Sequence, residues 1–127
     1  MMHAVRSAEL ESIGGDAPVC YGLTIFTQRW REIRDFYVDV LKAKVLSERP
    51  ERYAEIDFGG VPLCIEATEA AGMVSHLRLY VSLQNLEPLV ADLRERGVIV
   101  VKDGPYVKFR DPEGRMIKAS ETFAILS

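Results

Sequence analysis

The chain has 127 residues, 48% hydrophobic and 28% charged, with 16 Lys and Arg against 19 Asp and Glu for a formal net charge of -3. That balance suits one globular domain with its own core, and the lack of any long basic run excludes the electrostatic footprint of a nucleic-acid binder. No apolar stretch has the length of a membrane span or a signal sequence, so a cytoplasmic protein without a membrane partner is expected.

Residues 1–18 read as a flexible N-terminal lead-in, with His3 a solvent-exposed imidazole within it, and residues 19–127 as the single domain. From Val19 to Thr27 the residues alternate as in a strand with both faces at least half buried. Arg29 to Leu41 switches period, with Trp30, Ile33, Phe36, Tyr37, Val40 and Leu41 forming one stripe of an amphipathic helix capped by Thr27. Acids interleave with its arginines, which favours a solvated outer face over a membrane surface. Three strands follow at Lys44–Ser47, Tyr53–Phe58 and Val61–Ala67, and Thr68–Gly72 reads as a crossing connection.

The second half repeats this order. Ser75–Val81 alternates as a strand, and Leu86–Arg96 carries a helical stripe with Asn85 as its cap, Pro88 in the first turn and Gly97 just past its end. Strands at Val98–Val101, Tyr106–Arg110 and Met116–Glu121 complete it, the last two joined by Asp111-Pro112-Glu113-Gly114, which has the residues of a type I turn. The chain is thus two βαβββ modules, 19–67 and 75–121, offset by about 54 residues. The fold class predicted is α+β: one curved, cupped mixed sheet with the helices outside and a concave face for a ligand.

Phe36-Tyr37-Val38-Asp39-Val40-Leu41 and Phe109-Arg110-Asp111-Pro112-Glu113-Gly114 resemble signatures of the vicinal oxygen chelate superfamily, which includes glyoxalase I, bleomycin-resistance proteins and extradiol dioxygenases. The resemblance covers roughly Val19 to Glu121. Lys42 stands where relatives carry Gly at the helix exit, and about 1 kcal/mol of strain is expected there if the backbone is left-handed. The resemblance implies four inward-pointing metal ligands, falling on Gly22, Glu66, His76 and Lys118. Gly22 cannot ligate, and a Lys at the fourth corner repels a cation, so no cofactor is expected and an internal Lys118–Glu66 ion pair takes the metal's place. If a metal is held at all, Glu66 and His76 are its residues.

Period-two geometry turns Thr24, Phe26, Cys64, Arg78, Tyr80, Met116 and Ser120 inward with them, and places Leu23, Ile25, Leu63, Ile65, Leu77, Leu79, Val81 and Ile117 beneath the helices. Phe26, Arg78, Tyr80, Met116 and Lys118 are therefore the candidate ligand-binding residues, and Tyr106 and Lys108 can join them. His76 with Glu66 is the candidate acid–base pair of a lyase or isomerase of glyoxalase type; the alternative for His76 is a structural residue and for Arg78 an edge side chain in solvent. Cys20 and Cys64 lack metal-ligand spacing and read as reduced thiols, with one disulfide between them as the alternative.

Three functions are expected in this order. The first is a metal-independent small-molecule binding protein; the second is a lyase, isomerase or dioxygenase that uses Zn, Ni, Mn or Fe, with Glu55 or Asp57 supplying missing ligands; the third is a regulatory or scaffolding module. The resemblance and the open sheet edges also imply a homodimer.

Overall fold

The structure is a computed structural model that describes residues 16–121; His3 and most of the expected lead-in lie outside the described residues. The elements in chain order are β1 (Leu23–Thr27), α1 (Trp30–Asp35), a π-helical turn (Phe36–Val40), β2 (Lys44–Arg49), β3 (Tyr53–Phe58), β4 (Val61–Ala67) and a 3-10 turn (Ala71–Met73). The second half then gives β5 (Arg78–Leu83), α2 (Glu87–Glu95), β6 (Val101–Asp103), β7 (Tyr106–Arg110) and β8 (Met116–Glu121). This is the duplicated βαβββ order. Each copy closes its own four-stranded sheet, in the spatial orders β1-β4-β3-β2 and β5-β8-β7-β6.

Both first strands begin later than their alternation suggests, for related reasons. β1 runs parallel to β4 from the pair Leu23–Leu63, and one step further back stands Pro62, which has no N–H to offer a ladder. β5 runs parallel to β8 from the pair Arg78–Met116, and one step back stands Arg115, whose amide donates to Asp111 Oδ1 (3.0 Å). Gly22 and His76 therefore precede their strands, and the period-two argument does not reach either of them.

The single predicted helix is two. From Phe36 onward the turn widens, with the Leu41 amide donating to the Phe36 carbonyl (3.2 Å), five residues back. At that wider pitch Phe36, Val40 and Leu41 stay on one face, and all three are buried with Tyr37. Thr27 does not cap the helix. Arg29 occupies the N-cap, while the Thr27 hydroxyl accepts from the Arg29 amide (2.9 Å) in a local turn. Asn85 Oδ1 likewise accepts from the Glu87 amide (3.1 Å), one residue ahead of the Leu86 N-cap. Lys42 is left-handed (φ 63°), as is Gly97 at the equivalent exit of α2 (φ 80°).

One core serves both modules. Ile25, Leu63 and Ile65 of the first sheet join Val107, Phe109 and Ile117 of the second and Leu89 and Leu93 of α2 in a single buried cluster. The first module's helical segment touches both sheets: the Phe36 ring meets Phe109 of β7 at 6.2 Å, and Tyr37 meets Phe58 of β3 at 6.0 Å. Because the apolar faces share this helical layer, the other face of each sheet is the one carrying the polar side chains.

The Asp111–Gly114 turn forms as predicted, the Gly114 amide donating to the Asp111 carbonyl (2.9 Å), but it also joins the modules. Arg115, 3% exposed, donates to Asp111 Oδ2 (3.1 Å) and to the Phe26 carbonyl (2.7 Å). The Tyr37 hydroxyl donates to the same Asp111 oxygen (2.9 Å), and the Gln28 amide to Glu113 Oε2 (3.0 Å). Burial, then the Asp111 charge, holds the Tyr37 phenol far above its ordinary range, so it stays a donor. A buried cation is thus compensated on every side the chain can reach except at its Nε.

Candidate functional site

Strand register arranges the polar side chains on two faces. On the first sheet Phe26, Glu66, Tyr53 and Arg49 stand in one row across β1, β4, β3 and β2. The next row holds Thr24, Cys64, Glu55 and Ser47. Glu55 and Cys64 are buried here, at 2% and 5% exposure, while Glu66 is exposed. Burial, followed by the charges of Glu66 and Glu55, raises the Cys64 thiol above its ordinary range, which removes it as a nucleophile. No disulfide forms; Cys20 is exposed and Cys64 buried, both free.

On the second sheet Tyr80, Lys118, Lys108 and Val101 form the equivalent row across β5, β8, β7 and β6. It is flanked by Arg78, Met116 and Arg110 on one side and by Ser82, Ser120, Tyr106 and Asp103 on the other. Lys118 is to Tyr80 what Glu66 is to Phe26: an ionisable residue on the last strand beside an aromatic on the first, with the charge reversed.

The expected Lys118–Glu66 pair is not made. Lys118 Nζ lies 3.5 Å from Asp103 Oδ2 and 4.5 Å from the centre of the Tyr106 ring, and Lys108 reaches the same carboxylate at 3.5 Å. The two ammonium groups, Lys108 first, hold the Asp103 carboxyl below the usual carboxylate range. The reason is topological: Glu66 belongs to the other sheet, whereas β6 brings Asp103 onto the row beside Lys118. Sequence reasoning ended that strand at Val101. The two-residue connection Gly104-Pro105 between Asp103 and Tyr106 was the signal that the pairing continues.

The remaining candidates divide by sheet. Phe26 stands beside Glu66, and Arg78, Tyr80, Met116 and Lys118 are mutual neighbours on the second sheet. His76 is exposed, next to Ser75, whose hydroxyl accepts from the Phe26 amide (3.0 Å) and whose amide donates to the Phe26 carbonyl (3.1 Å). No hydrogen bond or ion pair joins His76 to Glu66 among the described residues. A crevice of about 580 Å³ opens between β5 and the β3–β4 hairpin, lined among others by Leu23, Phe58, Val61, Leu63, Leu79 and Tyr80; neither Glu66, His76 nor Lys118 lines it.

The metal that the resemblance implies does not fit these residues. Gly22 has no donor, the Lys118 ammonium is a cation already paired with Asp103, and among the described residues no group of three or more His, Cys, Asp or Glu could hold an ion.

Solved structures share this architecture. A lactoylglutathione lyase from Agrobacterium tumefaciens aligns over 85% of this chain and 96% of its own, with TM-score 0.66 and 12% identity. An antibiotic binding protein from a Streptomyces species aligns over 84% and 98%, with TM-score 0.64 and 22% identity. The fold is that of the vicinal oxygen chelate proteins. The trypanothione-dependent glyoxalase I of Leishmania major is similar too, covering 87% of this chain and 91% of its own at TM-score 0.66 and 18% identity. At these identities the vicinal oxygen chelate likeness is one of fold. No family model matches the chain, and no curated protein matches it by sequence. No helix among the described residues is long and apolar enough to cross a membrane.

Proposed function

We propose that this chain binds a small organic molecule over its polar sheet faces, without a resident metal, and does so as a homodimer. The observation that carries the reading is Lys118, held by Asp103 and Tyr106 at the corner where the resemblance places an acidic ligand. A cation fixed there turns the position from a metal ligand into a contact for the bound molecule itself. The fold likeness to an antibiotic binding protein supports binding without turnover.

Pairing follows from the edges. β1 and β5 are both edge strands, and apolar side chains stand exposed at the first of them and on its neighbour β4, Leu23 at 48% and Val61 at 44%. A second copy seated along these edges covers them and sets a polar face of each copy opposite the other, closing a cup that one copy leaves open.

Elemental analysis of protein purified without chelators, combined with thermal-shift screening of small organic ligands, tests the binding reading. Ligand-dependent stabilisation that survives chelator treatment is expected; stoichiometric Zn, Ni, Mn or Fe overturns it. Light scattering at micromolar concentration tests the pairing. The wild type is expected at twice the monomer mass, and Leu23→Asp at the monomer mass with an unchanged far-ultraviolet spectrum.

A further inference from the structure

We propose that the ligand is a planar aromatic anion, seated on the polar face of the second sheet; this rests on the small-molecule reading above. Four cations, Arg78, Lys108, Arg110 and Lys118, share that face with one described carboxylate, Asp103, in a chain whose net charge is -3. The concentration of positive charge therefore runs against the composition of the whole. It raises the local concentration of anions and repels cations.

Two tyrosines flank the cations. Tyr80 stands 65% exposed beside Lys118, and Tyr106 lies beneath the Lys118 ammonium. An exposed aromatic ring on a strand is a stacking surface, and the ammonium beside it is the counter-charge for a carboxylate on the stacked molecule. A third feature points the same way. Ser120, in the row next to Lys118, is 1% exposed and its hydroxyl has no hydrogen-bond partner among the described residues. A buried hydroxyl left unpaired is costly, and a carboxylate oxygen reaching that row accepts its proton. Asp103 then acts as a placeholder: it neutralises Lys108 and Lys118 at 3.5 Å each while the face is empty, and yields them to the anion.

Isothermal titration with 2-naphthoate, its neutral analogue 2-naphthalenemethanol and the aliphatic anion hexanoate distinguishes the contributions. 2-Naphthoate is expected to bind tightest, with affinity falling as salt is raised. Lys118→Met is expected to weaken it by about tenfold or more and Lys118→Arg to restore most of the loss, whereas Lys102→Gln, on the opposite face, leaves it unchanged. Asp103→Asn is expected to tighten it, an outcome that a purely structural Asp103 does not produce. Equal affinity for the acid and the alcohol, or no effect of Lys118→Met in a variant with wild-type melting behaviour, overturns the anion assignment and leaves small-molecule binding standing. If neither naphthalene compound binds and a broad ligand screen also yields nothing, the function proposed above falls with it.

Discussion

The two modules have the same topology and opposite characters. The first sheet buries both faces of its central strands, with Ala54, Glu55 and Ile56 on β3 and Leu63, Cys64 and Ile65 on β4 all buried. The second alternates, burying Val107, Phe109, Ile117 and Ala119 while Tyr80, Arg78 and Arg110 stay exposed. Equivalent positions carry Glu66 in one and Lys118 in the other. A duplicated scaffold thus fixes where side chains stand without fixing what they do, and the second copy holds the open, cationic face.

The largest test of this comparison is at the joint. Arg115→Met leaves Asp111 buried without its cation and frees the Phe26 carbonyl, and is expected to cost about 3–5 kcal/mol in chemical unfolding. A loss below about 1 kcal/mol shows that the modules are joined by their apolar core alone. Tyr37→Phe removes one donor to the same carboxylate and is expected to cost about 1.5–3 kcal/mol, with no change in ligand affinity.

Acid provides a smaller and graded test. Glu113 is held below its ordinary pKa: burial opposes this, but hydrogen bonds from the Thr27 side chain, the Gln28 amide and Arg115 outweigh it. A depressed folded pKa means stability that is full above the unfolded value of about 4.3 and is lost as pH falls through the folded one. Wild-type stability is therefore expected to fall below about pH 4.3 more steeply than that of Glu113→Gln, as read from unfolding curves across pH 3–6.

The smallest effect concerns the helix exits. Gly97 takes its left-handed backbone at no steric cost, whereas Lys42 adopts the same conformation with a side chain. Lys42→Gly is expected to stabilise by about 0.5–1 kcal/mol and Gly97→Ala to destabilise by about 1 kcal/mol, measured by thermal unfolding. Equal responses at the two exits remove this difference between the modules.

Much of the fold was legible because it depends on local periods. β3, β4, β7 and β8 begin and end where alternation places them, and the Asp111–Gly114 turn follows from its residue types. The left-handed Lys42 was visible only through the resemblance, as a side chain where relatives carry Gly. The candidate site was legible only in part. Arg78, Tyr80, Met116 and Lys118 do share a face, since parity along a strand puts them there. His76 and Gly22 escaped that logic, because Arg115 and Pro62 halt the ladders before reaching them. The role of Arg115 was not legible at all. A residue beside a turn gives no local sign that a carbonyl of β1 will face its guanidinium.

By itself the sequence determined two βαβββ modules, the buried face that carries Ile25, Leu63, Ile65 and Ile117, though not Leu23, which is exposed, and the cationic character of Lys118, because these depend on residue type and spacing alone. The tertiary structure decided the partners. Which carboxylate meets Lys118, which carbonyl satisfies Arg115 and which face is left open depend on strand order and on how two sheets share one helical layer. Those are contacts between segments far apart in the chain, and their energies exist only once the chain has folded.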